Sequence, residues 1–335
     1  MRRKLRGKLP PDMLAKEIFE KLPTAGEGVL LGPALGEDAA VLKVEDDLLV
    51  IHSDPVTGGG RLAGWLSVCV ASNDIATRGV RPKWLLTVFL FREGVTRDEM
   101  RDLVEQVGNA AREIGAVVVG GHTEITPGLP FNIIVTTALG TGSKVINTRD
   151  AREGDLLVVT KDIALEGTAI LASELSGKLR ELGVDEETLR SARNFIREIS
   201  VVKEALISSE NGLAMAMHDP TEGGLLGGIQ EVAMASGTGF RIYEEKVPLR
   251  RETKAVCDAL SIDPLKLISS GSLLISVARN DASILIERLR ESGVKATIIG
   301  ELTPRSDGMT LIREDGREED VSEPVIDELW RILSE

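Results

Sequence analysis

Cysteines and aromatic residues are scarce in this chain of 335 residues, with only 2 cysteines, 6 phenylalanines, 3 tryptophans and 1 tyrosine. Two cysteines cannot build a disulfide framework. Cys69 lies in an apolar run and Cys257 in a helical pattern, so we expect both to be buried structural residues. No stretch approaches the roughly 20 apolar residues that span a bilayer. The basic N-terminus leads into prolines instead of an apolar segment, unlike a signal peptide, and we expect a cytoplasmic protein with no membrane contact.

Positive charge is also in deficit, since 40 Lys and Arg face 53 Asp and Glu for a net charge of −13. This charge opposes attraction to a polyanion, so nucleic acid is not an expected partner. A phosphate-binding P-loop is absent, because the pairs Gly7-Lys8 and Gly177-Lys178 are each followed by Leu. A small phosphate ligand carried with a metal stays compatible with the charge, but its site must be of another kind.

The length exceeds the size at which a single hydrophobic core usually grows, which predicts two domains. A polar, aperiodic segment at 147–155 precedes the apolar run 156–159, so we set the domains at 1–152 and 153–335. Each block mixes short apolar runs with helical patterns, which predicts an α/β fold of the α+β type with two mixed domains. The expected strands are 48–51, 85–91, 117–119, 133–135, 156–159, 240–243, 273–275, 296–299 and 309–312, and the expected helices are 62–77, 97–114, 167–177 and 186–199.

Four stretches place acidic or imidazole groups beside small residues near expected element ends: Gly36–Ala40, Ser53–Pro55, Asn73–Ala76 and Gly120–Glu124. Magnesium takes oxygen ligands and bridges carboxylates to substrate phosphates, and carboxylates gathered from separate loops would suit it. An Asp at a turn is more often a helix cap. Asp74 lies inside a helical pattern, where Asp has poor propensity, and the alternative for it is a solvated helix face.

The three histidines, His52, His122 and His218, are expected in polar loops. Their neighbours are hydroxyls and carboxylates, and their spacing has no zinc signature. A zinc centre is therefore not the favoured interpretation.

Glycines offer a second way to bind phosphate, because backbone N–H groups approach an anion where no side chain blocks them. Gly58, Gly59 and Gly60 precede the helix expected near Leu62, and the alternative for them is a flexible connector. Further along, Thr221 is expected to cap a helix whose first turns carry Gly223, Gly224, Gly227 and Gly228. Such a helix either turns its backbone toward a ligand or the other domain, or packs tightly against a neighbour, and both interpretations remain open.

Two further motifs are Gly79-Val80-Arg81-Pro82 and Asp219-Pro220-Thr221-Glu222-Gly223-Gly224. The order of all these motifs resembles that of the aminoimidazole ribonucleotide (AIR) synthase, or PurM-like, superfamily over nearly the whole chain. The likeness is strongest to HypE-like proteins and their archaeal synthase-related members. It implies a homodimer formed through the N-terminal domains, with ATP and Mg²⁺ in a cleft near the interface. It also implies that Asp38, Asp54 and Asp74 serve the metal and phosphates, with nucleotide contacts from Gly120, Gly121, His122 and Thr123 and from Asp219, Thr221, Gly223 and Gly224.

Departures from the family patterns limit the reaction. The sequence ends Trp330–Glu335 without the terminal cysteine of HypE, residues 26–36 lack the reactive Cys and Lys of selenophosphate synthetases, and 53–58 lack the lysine of the purine enzyme. His122 stands where HypE has Asp. The first hypothesis is an ATP- and Mg²⁺-dependent enzyme that activates or phosphorylates an unidentified small-molecule or carboxamide acceptor, and the intact acidic motifs favour it. The alternative is a HypE-like, nucleotide-binding maturation partner or regulator without independent turnover, which would have a protein partner.

Overall fold

A computed structural model describes residues 11–21, 23–24, 26–57 and 59–333. Gly58, the basic N-terminal segment and the last two residues lie outside this part of the chain. The strands form one sheet within residues 29–142 and a second within 156–320. Two mixed α/β domains are therefore confirmed, while the boundary at 152/153 stays a prediction.

The N-terminal sheet has six strands in the order β1-β2-β3-β6-β4-β5. All neighbours are antiparallel except β4 and β5, which run parallel. The four predicted strands are confirmed as parts of longer ones, and the first two strands were not predicted. The bounds are β1 Val29–Leu31, β2 Ala40–Val44, β3 Asp47–Val56, β4 Trp84–Arg92, β5 Val117–Thr126 and β6 Ile133–Gly142.

In the described part of this domain the α-helices are α1 Pro11–Met13, α2 Ala63–Thr77 and α3 Arg97–Ile114. Helix α3 is amphipathic, begins at a Thr96 cap and ends at left-handed Gly115, as its sequence pattern predicts. Helix α2 is different, because it lies between the first sheet and the second domain and is buried on nearly every side. A solvated helix face for Asp74 is therefore wrong, since this residue is only 7% exposed.

The C-terminal sheet has seven strands in the order β13-β12-β9-β11-β7-β10-β8, with only the β12–β9 pair parallel. The five predicted strands are confirmed, whereas two short strands were not predicted. The bounds are β7 Leu156–Thr160, β8 Ala216–His218, β9 Gly239–Tyr243, β10 Leu274–Val277, β11 Ala296–Thr303, β12 Met309–Ile312 and β13 Glu318–Asp320. The helices are α4 Leu165–Glu174, α5 Ser176–Glu181, α6 Glu186–Arg193, α7 Val202–Glu210, α8 Gly224–Ser236, α9 Arg251–Leu260, α10 Ala282–Glu291 and α11 Glu328–Ile332.

The main hydrophobic core runs without interruption from one domain to the other. Its buried side chains include Leu66 and Ile75 of α2 together with Leu157 of β7 and Ile229 of α8. Both cysteines are buried and free, as predicted. None of the helices in the described part of the chain has the length and apolar character needed to cross a bilayer. The shared core fixes how the two domains meet, and the acidic motifs lie at that junction.

Candidate functional site

A cavity of about 520 Å³ opens where the two domains meet. Its walls come from the loop before β2, from β3, from α2 and from the segment that follows β8. It collects several of the predicted site residues, namely Asp38, Asp54, Asp74, Asp219 and Thr221, with His52 and His218 beside them.

The cluster nearest to a metal site consists of His52, Asp54 and Asp74. The first two lie on the same face of β3 because they are two residues apart, and α2 supplies the third. His52 Nε2 is 3.6 Å from Asp54 Oδ1 and 3.1 Å from Asp74 Oδ2. Burial would lower the pKa of His52, but the neighbouring Asp74 and Asp54 raise it to about 9. The imidazole is therefore a cation at neutral pH that balances two carboxylates.

The cluster suits a hard divalent cation. One ligand atom from each of its three residues lies within 4.8 Å of the other two, and two of the three are carboxylate oxygens, which Mg²⁺ prefers. The imidazole nitrogen is the weaker match, so the aspartates would hold the metal and His52 would give up its place between them. The donor set fits magnesium on this ground.

Asp38 lines the same cavity but is already paired. Its Oδ1 is 2.6 Å from His218 Nδ1, and its Oδ2 accepts a hydrogen bond of 3.2 Å from Arg78 Nη2. Burial alone would raise the pKa of Asp38, but His218 and Arg78 hold it at about 2. The His218 Nε2 lies 2.8 Å from Glu231 Oε2, and these partners raise the pKa of His218 to about 10 against the effect of burial. A metal-ligand role for Asp38 stays a prediction.

Arg78 is a fully buried cation beside Asp38. It follows the last residue of α2 and donates hydrogen bonds to Glu37, to Asp38 and, over 2.7 Å, to the Thr148 hydroxyl. Glu37 also accepts from the backbone N–H of Thr148 over 3.0 Å. Since a buried charge is costly unless it is paired and hydrogen-bonded, this network fixes the loop that carries Asp38.

Asp219 faces the cavity from the second domain and is buried. Its Oδ2 accepts a 2.8 Å hydrogen bond from Asn73 Nδ2, whereas its Oδ1 has no hydrogen-bond partner among the described residues. Burial and the nearby Asp74 charge raise the pKa of Asp219 well above its ordinary value. The same Asn73 amide donates to Ile199 O and accepts from Val201 N–H, at 3.0 and 2.9 Å, so this one side chain links α2 to the second domain.

The stretch Gly120–Thr123 does not reach this cavity within one chain. It lies in the middle of β5, so the expectation of a loop is wrong. The same expectation is wrong for His52, which lies inside β3, and for His218, which is the buried last residue of β8. Strands β6 and β4 lie between β3 and β5. The distance between β3 and β5 is therefore about 14 Å, at roughly 4.8 Å for each of the inter-strand spacings. His122 is exposed and lies 3.1 Å from Glu124. Gly121 has a left-handed φ of 147° and a side chain there would collide with the Thr87 carbonyl of β4, because the two strands pack closely at this point.

The glycine-rich start of α8 is a packing device. Thr221 is not the cap: the helix begins at Gly224 with left-handed Gly223 before it. The Gly223 N–H donates to Asp327 Oδ2 over 2.7 Å, and a side chain at Gly224 would lie 2.7 Å from the carbonyl oxygens of both Leu265 and Leu267. Tight packing explains Gly223 and Gly224, Thr221 lines the cavity, and nucleotide contacts by these three residues stay predictions.

Gly59 and Gly60 lie just before α2, outside the metal cluster. A side chain on Gly59 would crowd Leu66, and one on Gly60 would collide with the Glu174 carboxylate. Close approach of neighbouring groups therefore explains both glycines, and a phosphate contact by either stays a prediction.

The residues that hold the acidic groups in place were not predicted in that role. Arg78 and Glu231 lie outside the predicted motifs, and Glu37 and Asn73 lie within them. They lie in different elements that only the fold brings together. One signal was present: an Asn and an Asp in the interior of a strongly apolar helix pattern indicate a buried polar contact.

The fold and the acidic cavity at the domain junction define a two-domain protein of the AIR synthase type. The family descriptions "AIR synthase related protein, N-terminal domain" and "AIR synthase related protein, C-terminal domain" match residues 36–141 and 152–312. The chain therefore belongs to the AIR synthase related family, within the PurM-like superfamily, as the sequence resemblance predicted.

Its relatives include the carbamoyl dehydratase HypE of Escherichia coli, which is 29% identical over 80% of this chain and 80% of that protein. Among solved structures, HypE in a HypE–HypF complex has a TM-score of 0.73 at 23% identity, covering 93% of this chain and 99% of that one. HypE in complex with ATP has a TM-score of 0.70 at 23% identity, with 96% of each chain covered. These structural likenesses establish the shared fold.

Proposed function

We propose that this protein is an ATP- and Mg²⁺-dependent enzyme that activates or phosphorylates a small molecule or carboxamide acceptor. The observation that carries the proposal is the pair of carboxylates, Asp54 and Asp74, that meet beside His52 in the cavity between the domains. A similar fold binds ATP in the HypE–ATP complex, and a relative is named a carbamoyl dehydratase. Both likenesses support a nucleotide-dependent reaction at this cavity.

In this proposal Asp54 and Asp74 hold the metal, and the other polar groups of the cavity orient the phosphates. Bound Mg²⁺ would neutralise phosphate charge and polarise the transferred group. Asp38 keeps His218 protonated at the cavity wall, 2.6 Å away, so His218 offers positive charge close to an incoming polyphosphate. Asp219 Oδ1, buried without a hydrogen-bond partner in the described chain, is available to a donor from the ligand or its bound water.

The acceptor in this proposal is a separate molecule, not a thiol of the protein. Both cysteines of the sequence are buried, Cys69 and Cys257 each being 1% exposed. Burial raises the pKa of both thiols, to about 12 for Cys257, so neither forms the thiolate that reacts at neutral pH.

A homodimer through strand β5 completes the site in this proposal. This edge strand is exposed along almost its whole length, and Val117, Val119 and Ile125 are 60%, 56% and 58% exposed. An uncovered apolar edge strand invites pairing with a second chain. A second copy docked there would bring its own Gly120–Thr123 stretch toward the phosphates that a single chain cannot reach with these residues.

A second candidate function is a nucleotide-binding maturation partner or regulator without independent turnover. The HypE–HypF complex, which has a similar fold, supports it, because that relative assembles with another protein. The two candidates share ATP binding and differ in ADP release.

The test is calorimetric titration of ATP with and without Mg²⁺, paired with an ADP-release assay across candidate acceptors. Asp54→Asn and Asp74→Asn should each weaken Mg²⁺-dependent ATP binding by roughly tenfold or more, since each removes a charged ligand. Asp46→Asn is the matched control, because Asp46 lies exposed in the β2–β3 turn and should bind ATP like the wild type.

The outcomes separate the candidates. ATP binding without Mg²⁺ dependence, or unchanged binding in both aspartate variants, would overturn the site. Mg²⁺-dependent binding with no ADP release for any acceptor would favour the regulator over the enzyme.

A further inference from the structure

A second cavity of about 400 Å³ lies between the domains next to the first. Asp54 and Thr221 line both cavities, so the two spaces meet at the proposed metal cluster. The walls of the second cavity are mixed, and their apolar part is formed by Val56, Val70, Ile170, Ile268 and Leu329 with Trp330 beside them. A molecule in this space would lie directly beside the phosphate site.

Glu166 is the unusual side chain of this second cavity. It sits in the first turn of α4 and is 5% exposed. Its Oε2 and the fully buried Ser270 hydroxyl make no hydrogen bond of normal length among the described residues, although Ser270 lies near enough to lower the pKa of Glu166. Buried polar groups are nearly always hydrogen-bonded, so a buried carboxyl with only one distant donor beside an open cavity has room for a donor from a ligand.

The backbone around Glu166 prevents the carboxyl from moving to solvent. The Ala164 N–H donates to Ser269 Oγ over 2.8 Å, and the Gly167 N–H donates to Ile268 O over 3.1 Å. A side chain at Gly167 would lie 2.4 Å from Leu267, so α4 packs closely on this segment. Glu166 is held facing the cavity rather than at a surface.

The charge of the second cavity is of one sign. Its ionisable lining residues are Asp54, Glu166 and Glu222, and no Lys, Arg or His lines it in the described part of the chain. Asp327 adds a further acid nearby. Such a wall repels a carboxylate or a phosphate and attracts N–H donors and cations.

We propose that this second cavity is the acceptor subsite, and that Glu166 recognises there a small uncharged or cationic molecule with an N–H group and a compact apolar body. The inference rests on the proposed function and narrows its acceptor: an acceptor that already carries phosphate or carboxylate is excluded. The N–H group donates to Glu166 Oε2, while the apolar body packs on Val70, Ile170 and Leu329.

Three probes of nearly the same size but different charge test the proposal: propionamide, propylamine and propionate. Binding is measured by saturation-transfer NMR on the full chain with Mg²⁺ and a non-hydrolysable ATP analogue. Propionamide and propylamine should each bind with a saturable titration curve. Propionate should bind roughly tenfold more weakly or not at all. This comparison uses only the wild-type protein, so it does not depend on the folding of a variant.

Glu166→Gln then tests the residue itself. Measured at pH 8, above the raised pKa of Glu166, the substitution should weaken propylamine binding roughly tenfold, because a hydrogen bond to a charged acceptor is lost. Propionamide binding should weaken to a smaller extent. Glu187→Gln, at an exposed site on α6, is the matched control and should leave all three probes unchanged.

Failure of the inference and failure of the proposed function give different results. Equal binding of propionate and propionamide, or unchanged probe binding in folded Glu166→Gln, would overturn the acceptor subsite even where ATP binds with Mg²⁺. Absence of ATP binding in the calorimetric titration would overturn the proposed function itself.

Discussion

His218 Nδ1 lies 2.6 Å from Asp38 Oδ1, and this contact joins a side chain of the second domain to one of the first. Both groups are buried, with side chains 4% and 6% exposed. Arg78 and Glu231 extend the pair on either side. The junction between the domains therefore depends on charge as well as on apolar packing.

Replacing His218 should weaken the fold strongly. His218→Gln leaves Asp38 buried without its closest cation, and breaking a buried pair on one side costs about 3–5 kcal/mol of unfolding free energy. Urea denaturation measures this loss. His122→Gln is the matched control, because His122 is 61% exposed, and it should stay within about 0.5 kcal/mol of the wild type.

The loss in His218→Gln should also depend on pH. His218 has its pKa raised from 6.5 to about 10, so its contribution is complete below pH 6.5 and disappears as the pH rises toward 10. Asp38 has its pKa lowered from 3.8 to about 2, so its contribution is complete above pH 3.8 and disappears as the pH falls toward 2. The difference between wild type and variant should therefore be largest from pH 3.8 to 6.5, and a constant difference up to pH 10 would contradict this assignment.

Glu166 should make the wild type less stable as the pH rises. Burial raises its pKa from 4.5 to about 7, so the folded state holds the proton more tightly and loses stability between those two pH values. Glu166→Gln cannot ionise, and it should gain on the order of 3 kcal/mol relative to the wild type across this range. Urea denaturation at pH 4.5 and 7 measures the gain. If Glu166→Gln and the control Glu187→Gln showed the same pH dependence, the assignment would be wrong.

Removing the imidazole between Asp54 and Asp74 should make the fold depend on magnesium. His52→Gln deletes the cation 3.1 Å from Asp74, which leaves two carboxylates to repel each other. The melting temperature should fall without metal and should recover toward the wild-type value in millimolar Mg²⁺. His122→Gln serves again as the control, and a deficit that Mg²⁺ leaves unchanged would argue against metal binding by these aspartates.

A charge on strand β5 should disrupt the proposed dimer. Val119→Lys places a cation on a strand whose apolar residues are exposed, and burying that charge in an interface is costly. Sedimentation should show a shift toward the monomer, with weaker ATP binding by calorimetry. Val44→Lys introduces the same change at a 49% exposed valine of β2 and should leave the assembly intact. If the wild type sediments as a monomer, the dimer proposal fails.

Hydrophobic periodicity predicted the long elements well. Helices α2 and α3 begin and end within a residue of the expected bounds, because each has a strong pattern and a clear terminating residue at Gly79 or Gly115. The short strands β1, β8 and β13 were missed, since three residues are too few to establish an alternation. The family motifs led to Asp38, Asp54 and Asp74, which do line one cavity.

The partners of those aspartates could not be read from the sequence. Arg78 reaches Glu37 and Thr148 across 41 and 70 residues, and such contacts depend on the packing of the whole chain. Glu166 looks like an ordinary helical glutamate, and only its burial beside a cavity distinguishes it. A role for Gly120–Thr123 stays a prediction, because the stretch does not line the cavity of a single chain.

Asn73 joins the domains with a group that has no charge to lose. Its amide pairs with Ile199 O and with the Val201 N–H as a peptide group would, while the His218–Asp38 contact changes with pH. Strong acid or alkali should therefore break the His218–Asp38 ion pair and leave the hydrogen bonds of Asn73 in place. The cavity between the domains would then lose the charges of His218 and Asp38 from its wall while its shape is retained.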